Sequence, residues 1–259
     1  MKGASETPAP QRIGALLESV TPLGGRVLEI QLRLDRSPVG VQAGHYLLLH
    51  HPDGPVPFSL ASPPRALPAV TLQYQGAGGS DDARRVDALL AAGGRIEVEL
   101  PFGECGFSAP LQRPLLIVAG GTGISQARAL LLELLDTAQA PIRLYWGVGR
   151  ADDLYLADEL DALARAGHDF RWHAAVEADD ALEFAARAAR ANVRRGRVGD
   201  LVISDLASGE LSLTGQDVLL CGGPPMVWGT VALLRAHGLT ESQCRSDVFG
   251  YAPRDDLWG

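Results

Sequence analysis

The stretch Ile117-Val118-Ala119-Gly120-Gly121-Thr122-Gly123-Ile124-Ser125 holds the strand-to-helix transition on which the fold turns. It closes Leu115–Ala119 (LLIVA), a fully apolar run of the kind expected in a central parallel strand covered on both faces. Beyond the glycines the chain becomes Ala/Leu-rich and helical in composition through about Leu135. Glycines here let the backbone approach a pyrophosphate, and the free N–H groups and dipole at the helix N-terminus attract its charge. A tight turn that needs positive φ leaves the same local pattern. The segment also lacks the Gly-x-Gly-x-x-Gly spacing of the dinucleotide fingerprint, so on its own it leaves both readings open.

Downstream, the alternation continues. A strand over Ile142–Trp146, a helix near Leu154–Ala166, a strand over Phe170–Ala175 and a helix near Ala181–Ala191 are expected. A last strand, Asp217–Cys221, runs through Gly222-Gly223-Pro224-Pro225 into a helix over Met226–His237. Strands alternating with helices predict a doubly wound parallel sheet. Upstream, the period falls to two: Arg26–Leu34, Gly44–Leu49, Val70–Gln75 and Arg95–Leu100 read as half-buried strands set off by Gly and Pro. Asp81–Ala92 reads as one helix among them. The expected architecture is a two-domain chain. An N-terminal antiparallel β-barrel (1–110) precedes an α/β doubly wound parallel sheet (111–259), with the change at Ser108–Arg113.

A second glycine elbow, Leu219-Leu220-Cys221-Gly222-Gly223-Pro224-Pro225-Met226, also follows the carboxyl end of a strand. Ligands of open α/β sheets sit beyond those ends, so two neighbouring elbows would leave a crevice for an extended dinucleotide. Cys221 would wall that crevice, although a lone cysteine is more commonly a buried structural residue. A third segment, Pro55-Val56-Pro57-Phe58-Ser59-Leu60-Ala61-Ser62, reads by itself only as an edge strand bearing two prolines.

Composition narrows the partners. The chain has 259 residues, 46% hydrophobic and 21% charged, enough apolar surface for real cores. A formal net charge of -8 with scattered basic residues disfavours nucleic acid and anionic membranes. Three distant cysteines, Cys105, Cys221 and Cys244, argue against a disulfide framework and fit a reducing compartment. Met1–Gln11 has no apolar core of a signal peptide, and no run of about 18 apolar residues occurs. A cytoplasmic protein is expected.

The three segments, in this order and spacing, give the chain a likeness: from Arg12 to Arg254 it resembles the ferredoxin–NADP reductase superfamily. Within it, the bacterial NAD(P)H:flavin reductases and single-chain reductase components are the nearest in pattern. Ala43-Gly44-His45-Tyr46-Leu47, Val98-Glu99-Leu100-Pro101-Phe102-Gly103, Tyr145-Trp146-Gly147, Asp153-Leu154-Tyr155 and Ser246-Asp247-Val248-Phe249 contribute to the likeness. The resemblance implies a barrel that cradles a flavin (FAD, or FMN or riboflavin as substrate) and a sheet that binds NADH or NADPH. It places Pro57, Phe58 and Ser59 on the flavin, with Ser59 beside its reactive edge. It places Gly78, Gly79 and Ser80 of the Gly76–Ser80 loop near flavin phosphate. Gly120, Gly121, Thr122 and Gly123 then meet the nucleotide pyrophosphate. Cys221, Gly222, Gly223 and Pro224 line the nicotinamide pocket. The implied chemistry is hydride transfer from nicotinamide C4 to flavin N5, with Ser59 and Cys221 as the catalytic pair.

One departure bears on that expectation. The family's flavin segment begins with an Arg, where this chain has Val56. A guanidinium there would contact flavin phosphate, a charged hydrogen bond of about 1.5–3 kcal/mol. Three consequences are open: Arg65, Arg84 or Arg85 supplies the charge; flavin is a diffusing substrate; or the chain is a flavin-less binding or regulatory subunit of a redox complex. An iron–sulfur centre would need about four closely spaced cysteines, so the expected onward acceptor is a free flavin, a small molecule, or a separate iron–sulfur or haem protein. His45 is expected to be structural, and His50-His51 lacks a third ligand for a metal. Arg150, after the second sheet strand, is a candidate partner for a 2′-phosphate and equally a solvated helix-start residue.

Overall fold

The computed structural model of the chain describes residues 9–76, 80–177 and 192–258. Its first half is a six-stranded antiparallel sheet built from β1 (Gln11–Gly24), β2 (Val27–Leu34), β3 (Tyr46–His50), β4 (Val56–Ser59), β5 (Ala69–Gln75) and β6 (Arg95–Phe102). The order across the sheet is β4-β3-β6-β1-β2-β5. Its two edges meet where the Ala61 amide donates to the Thr71 carbonyl at 2.9 Å, which closes the sheet into a barrel. Ile30, Leu32, Leu47, Leu49, Leu72 and Leu100 fill the interior. Helix α1 (Asp81–Ala92) starts on Ser80, whose hydroxyl accepts from the Ala83 amide, an ordinary N-cap that satisfies one orphan donor. The Tyr74 hydroxyl donates to Asp87 Oδ1 at 2.9 Å and holds α1 against β5; burial and that carboxylate push the phenol up to about 12.

The period-two runs are found as strands, and Asp81–Ala92 is found as a helix with the expected bounds. The 14-residue β1 does not alternate. It carries two register shifts against β2, between Leu17 and Ser19 and between Pro22 and Gly24, and its far half is exposed. β4 is an edge strand, where Pro57 interrupts no ladder that the fold needs.

The second sheet is parallel: β7 (Leu115–Gly120), β8 (Ile142–Val148), β9 (Phe170–Val176), β10 (Val193–Arg195), β11 (Asp217–Cys221) and β12 (Cys244–Arg245), in the order β10-β9-β8-β7-β11-β12. Helices α2 (Ile124–Leu134), α3 (Ala157–Arg165), α4 (Val198–Ser208) and α5 (Pro224–Arg235) cover it. Leu115, Ile117 and Ala119 face one apolar layer, and Leu116 and Val118 face the other, as a doubly covered strand requires. The helix expected over Ala181–Ala191 lies outside the described residues. β10, α4 and β12 were not expected. α4 (VGDLVISDLAS) is rich in Gly and β-branched residues of low helix propensity, and β12 is only two residues long. Among the described residues no helix is long and apolar enough to cross a membrane, and no group of three His, Cys, Asp or Glu is arranged for a metal.

Candidate active site

β7 and β11 are hydrogen-bonded neighbours with Ala119 opposite Cys221, so both glycine elbows leave the sheet side by side at its carboxyl edge. Their contact is tight. A Cβ on Gly123 would lie 2.2 Å from the Cys221 carbonyl oxygen, and one on Gly222 2.4 Å from the Met226 methyl. Gly121 has φ +54 with open space around the Cβ position, so there the backbone conformation alone calls for glycine. The Trp146 indole N–H donates to the Gly121 carbonyl at 3.0 Å and pins the first elbow from β8.

The first turns of α2 clip this edge onto the barrel. Ser125 Oγ and Tyr155 OH donate to Gln73 Oε1 at 2.7 and 3.1 Å. Gln126 Nε2 donates to the Gly44 carbonyl at 2.6 Å, and Arg128 Nη1 to the Ala61 carbonyl at 2.8 Å. The docking leaves a cleft of about 560 Å³ between the two sheets. Pro57, Phe58 and Ser59 line it from β4, Ser80 from the start of α1, and Gly120, Thr122, Gly123, Cys221, Gly222 and Gly223 from the elbows. The structure therefore brings most of the expected site residues into one cavity. Gly121 does not line it and instead shapes the turn. Pro224 lies in a separate groove with Pro225 and Trp228, as the first residue of α5. Gly78 and Gly79 lie outside the described residues.

Cys221 is 2% exposed, and burial, with Asp247 nearby, pushes its thiol far above the ordinary range. It is a neutral, polarizable wall and not a thiolate nucleophile. Cys105 is raised by burial and by the same Asp247. His45 is buried; its Nδ1 accepts from the Gln42 amide, and burial lowers its pKa, so it is a neutral structural residue.

Three further residues face the cleft that the sequence reading did not single out: Gln73, Gln126 and Asp247. Asp247 Oδ2 accepts from Gln126 Nε2 at 2.9 Å, while Oδ1 is buried without a hydrogen-bond partner. Burial raises the Asp247 carboxyl above its usual range, and the Gln126 amide opposes the shift. Gln73 Nε2 is likewise buried and unpaired. An unused donor and an unused acceptor buried in one cleft are unusual in a native protein and mark groups held for a ligand. Asp247 lies in a family-like stretch and was within reach of sequence reading. Gln73 and Gln126 carry no local signal, because their burial comes from the docking of the two sheets.

Of the three arginines that were to replace the missing cation, none lines the cleft. Arg65 pairs with Glu133 at 3.0 Å, Arg84 with Asp81, and Arg85 with Asp82 at 2.9 Å.

An oxidoreductase NAD-binding domain matches residues 117–231. Reductase component 1 of terephthalate 1,2-dioxygenase from Comamonas sp. is 31% identical over 251 residues, covering 95% of this chain and 70% of that one. A probable flavin reductase from Vibrio harveyi is 27% identical over 248 residues, covering 91% and 98%. The crystal structure of the Amycolatopsis cytochrome P450 reductase GcoB has the same fold, with a TM-score of 0.75 at 24% identity over 92% of this chain and 69% of that one. The chain belongs to the ferredoxin–NADP reductase-like family of NAD-binding oxidoreductases. It is an enzyme of the class that carries hydride from NAD(P)H to flavin and on to an acceptor.

Proposed function

We propose that the flavin lies along β4, that NAD(P)H lies across the two elbows, and that the electrons leave to a separate acceptor. The observation that carries this reading is the single cleft walled by Pro57 and Ser59 on one side and by Thr122, Cys221 and Gly222 on the other. Its volume lies in the ordinary range for small-molecule sites, about 300–1,000 Å³. When bound, the two cofactors supply the redox chemistry, in which NAD(P)H and flavin with one proton give NAD(P)+ and reduced flavin.

The chain's own residues align and desolvate. Gly121 and Gly123 bring backbone close to a pyrophosphate, and Thr122 offers its hydroxyl beside them. Ser59 offers a hydrogen bond to a ring heteroatom. Cys221 stays protonated and excludes water without reacting. The unpaired Gln73 Nε2 and Asp247 Oδ1 suit a planar amide that accepts at one atom and donates at another. Several similar proteins are named as reductase components of oxygenases, which supports a separate iron–sulfur or haem protein as the acceptor.

The test mixes the purified chain anaerobically with NADH or NADPH and with FAD, FMN or riboflavin. Loss of nicotinamide absorbance matched by bleaching of a flavin is the expected result, and the preferred nucleotide is read from the same assay. Ser59→Ala and Cys221→Ala are each expected to lower turnover by about tenfold or more, the scale of one misaligned contact. No oxidation with any flavin would sink the reading and favour the flavin-less regulatory subunit that Val56 first suggested.

A further inference from the structure

We propose that the flavin this enzyme works on is the uncharged one, riboflavin, bound and released as a substrate and not held by a phosphate. The inference rests on the flavin-reductase reading and specifies the ligand of that cleft.

It begins with the direction of β4. Ser59 lies at one end of the strand, paired with Tyr46, and Val56 at the other, paired with Leu49. Three residues of strand span about 10 Å. With the ring at the Ser59 end, the tail of the flavin reaches Val56 and the first turn of α1. That end of the cleft is apolar or acidic: Leu48, Val56, Ala83 and Val86 wall it, and Asp82 stands at its rim. Among the described residues, none that lines the cleft is lysine, arginine or histidine, and the Gly76–Ser80 loop contains no charged residue.

The helix N-terminus at Ser80 is the one feature that would attract a phosphate, but Asp81 and Asp82 occupy its first turn and already answer its dipole. The nearest guanidiniums, Arg84 and Arg85, are engaged with those same carboxylates. A phosphate would have to take Arg85 from Asp82 while bringing its own charge beside two acids. A hydroxyl-ended tail meets neither cost. The ring, held by β4 and the elbows, is bound alike in all flavins, so the tail decides. NAD(P)H, riboflavin and one proton then give NAD(P)+ and dihydroriboflavin, which diffuses to its acceptor.

The test measures affinity of the full chain for riboflavin, FMN and FAD by quenching of flavin fluorescence, alongside KM for each with the preferred nucleotide. Riboflavin is expected to bind at least as tightly as FMN and FAD, with no flavin retained through desalting. FMN or FAD bound more tightly than riboflavin would overturn the inference while leaving the reductase reading in place. Failure of all three to be reduced would instead overturn that reading, and this inference with it. Val56→Arg is expected to move the riboflavin-to-FMN affinity ratio toward FMN by about ten- to a hundredfold, one charged hydrogen bond's worth. Asp82→Asn, on an exposed helix turn where folding is not at stake, is expected to move the ratio the same way. A ratio unchanged in both variants would count against the proposal.

Discussion

Gln126 donates one amide proton to the Asp247 carboxylate at 2.9 Å and the other to the Gly44 carbonyl at 2.6 Å. One buried side chain thus ties the acid of the parallel sheet's far end to the barrel and aims the free Asp247 oxygen into the cleft. Gln126 is a positioning residue. Gln126→Leu keeps the bulk and removes both donors. It is expected to cost about 2–3 kcal/mol in denaturant unfolding, since a buried charge and a carbonyl both lose partners. It also removes a contact that lowers the Asp247 pKa, so any limb of the kcat–pH profile that reports Asp247 shifts to higher pH. Unchanged stability with an unchanged profile would refute the role.

Asp247 itself links stability to pH. Its folded pKa is raised, chiefly by burial, so the folded state holds the proton more tightly than the unfolded chain. The stabilisation this gives is complete below the unfolded value of about 3.9 and is lost as pH rises through the folded value. Asp247→Asn should abolish that loss. Thermal melts across the acid-to-neutral range should show the variant gaining on the wild type as pH increases, and a constant difference would contradict the assignment.

The two glycines of the first elbow should answer differently to alanine. Gly121→Ala meets no atoms but keeps a positive φ, a strain of about 1 kcal/mol. Gly123→Ala drives a methyl into the Cys221 carbonyl, which is backbone and cannot rotate away. It is expected to cost about 3 kcal/mol or more and to weaken NAD(P)H binding, because the elbows must part. Equal effects of the two substitutions, measured by unfolding and by nucleotide KM, would argue against the interlock.

All three cysteines are buried, and burial raises each thiol, Cys244 to about 12. The native protein is expected to leave an aromatic disulfide reagent unreacted at neutral pH and to release three equivalents once unfolded. A fast-reacting thiol in the native state would show that Cys221 is not the neutral wall described.

Away from the cleft, Asp205 is 2% exposed and receives two hydrogen bonds from Arg194, at 2.6 and 2.5 Å, and one from Tyr145 at 2.7 Å. Burial pushes Asp205 up, and these partners overcome it, leaving the carboxyl below its usual range. Arg194→Leu strands that charge. The expected loss is about 3 kcal/mol, the low end for a broken buried pair because Arg194 is a third exposed. In the wild type this contribution is present above the unfolded Asp value and fades as pH falls through the lower folded value. An Arg194→Leu variant with wild-type unfolding would remove the network from the stability account.

The architecture was legible because its signals are local. LLIVA before a glycine cluster requires cover on both faces, and RIEVEL requires cover on one; both follow from the directions in which consecutive side chains point. β1 escaped because its two bulges break alternation, and α4 because its composition favours strand while packing against β8 imposes helix. At the site, Ser59 and the elbows were legible from their motifs, and Asp247 from its stretch. Gln73 was not: VTLQYQ puts Thr71, Gln73 and Gln75 on what looks like a solvent face.

By itself, then, the sequence determined which segments are strands and helices, where the chain turns on glycine, and that position 56 carries no charge. Only the tertiary structure decided that α2 covers the polar face of β5, leaving Gln73 and Asp247 buried with unused hydrogen-bonding atoms, and that every nearby arginine is already paired. The reason is physical. Strand parity and turn chemistry are fixed within a few residues, whereas burial and ion pairing belong to groups far apart in the chain, such as Gln73 with Ser125 and Gln126 with Asp247.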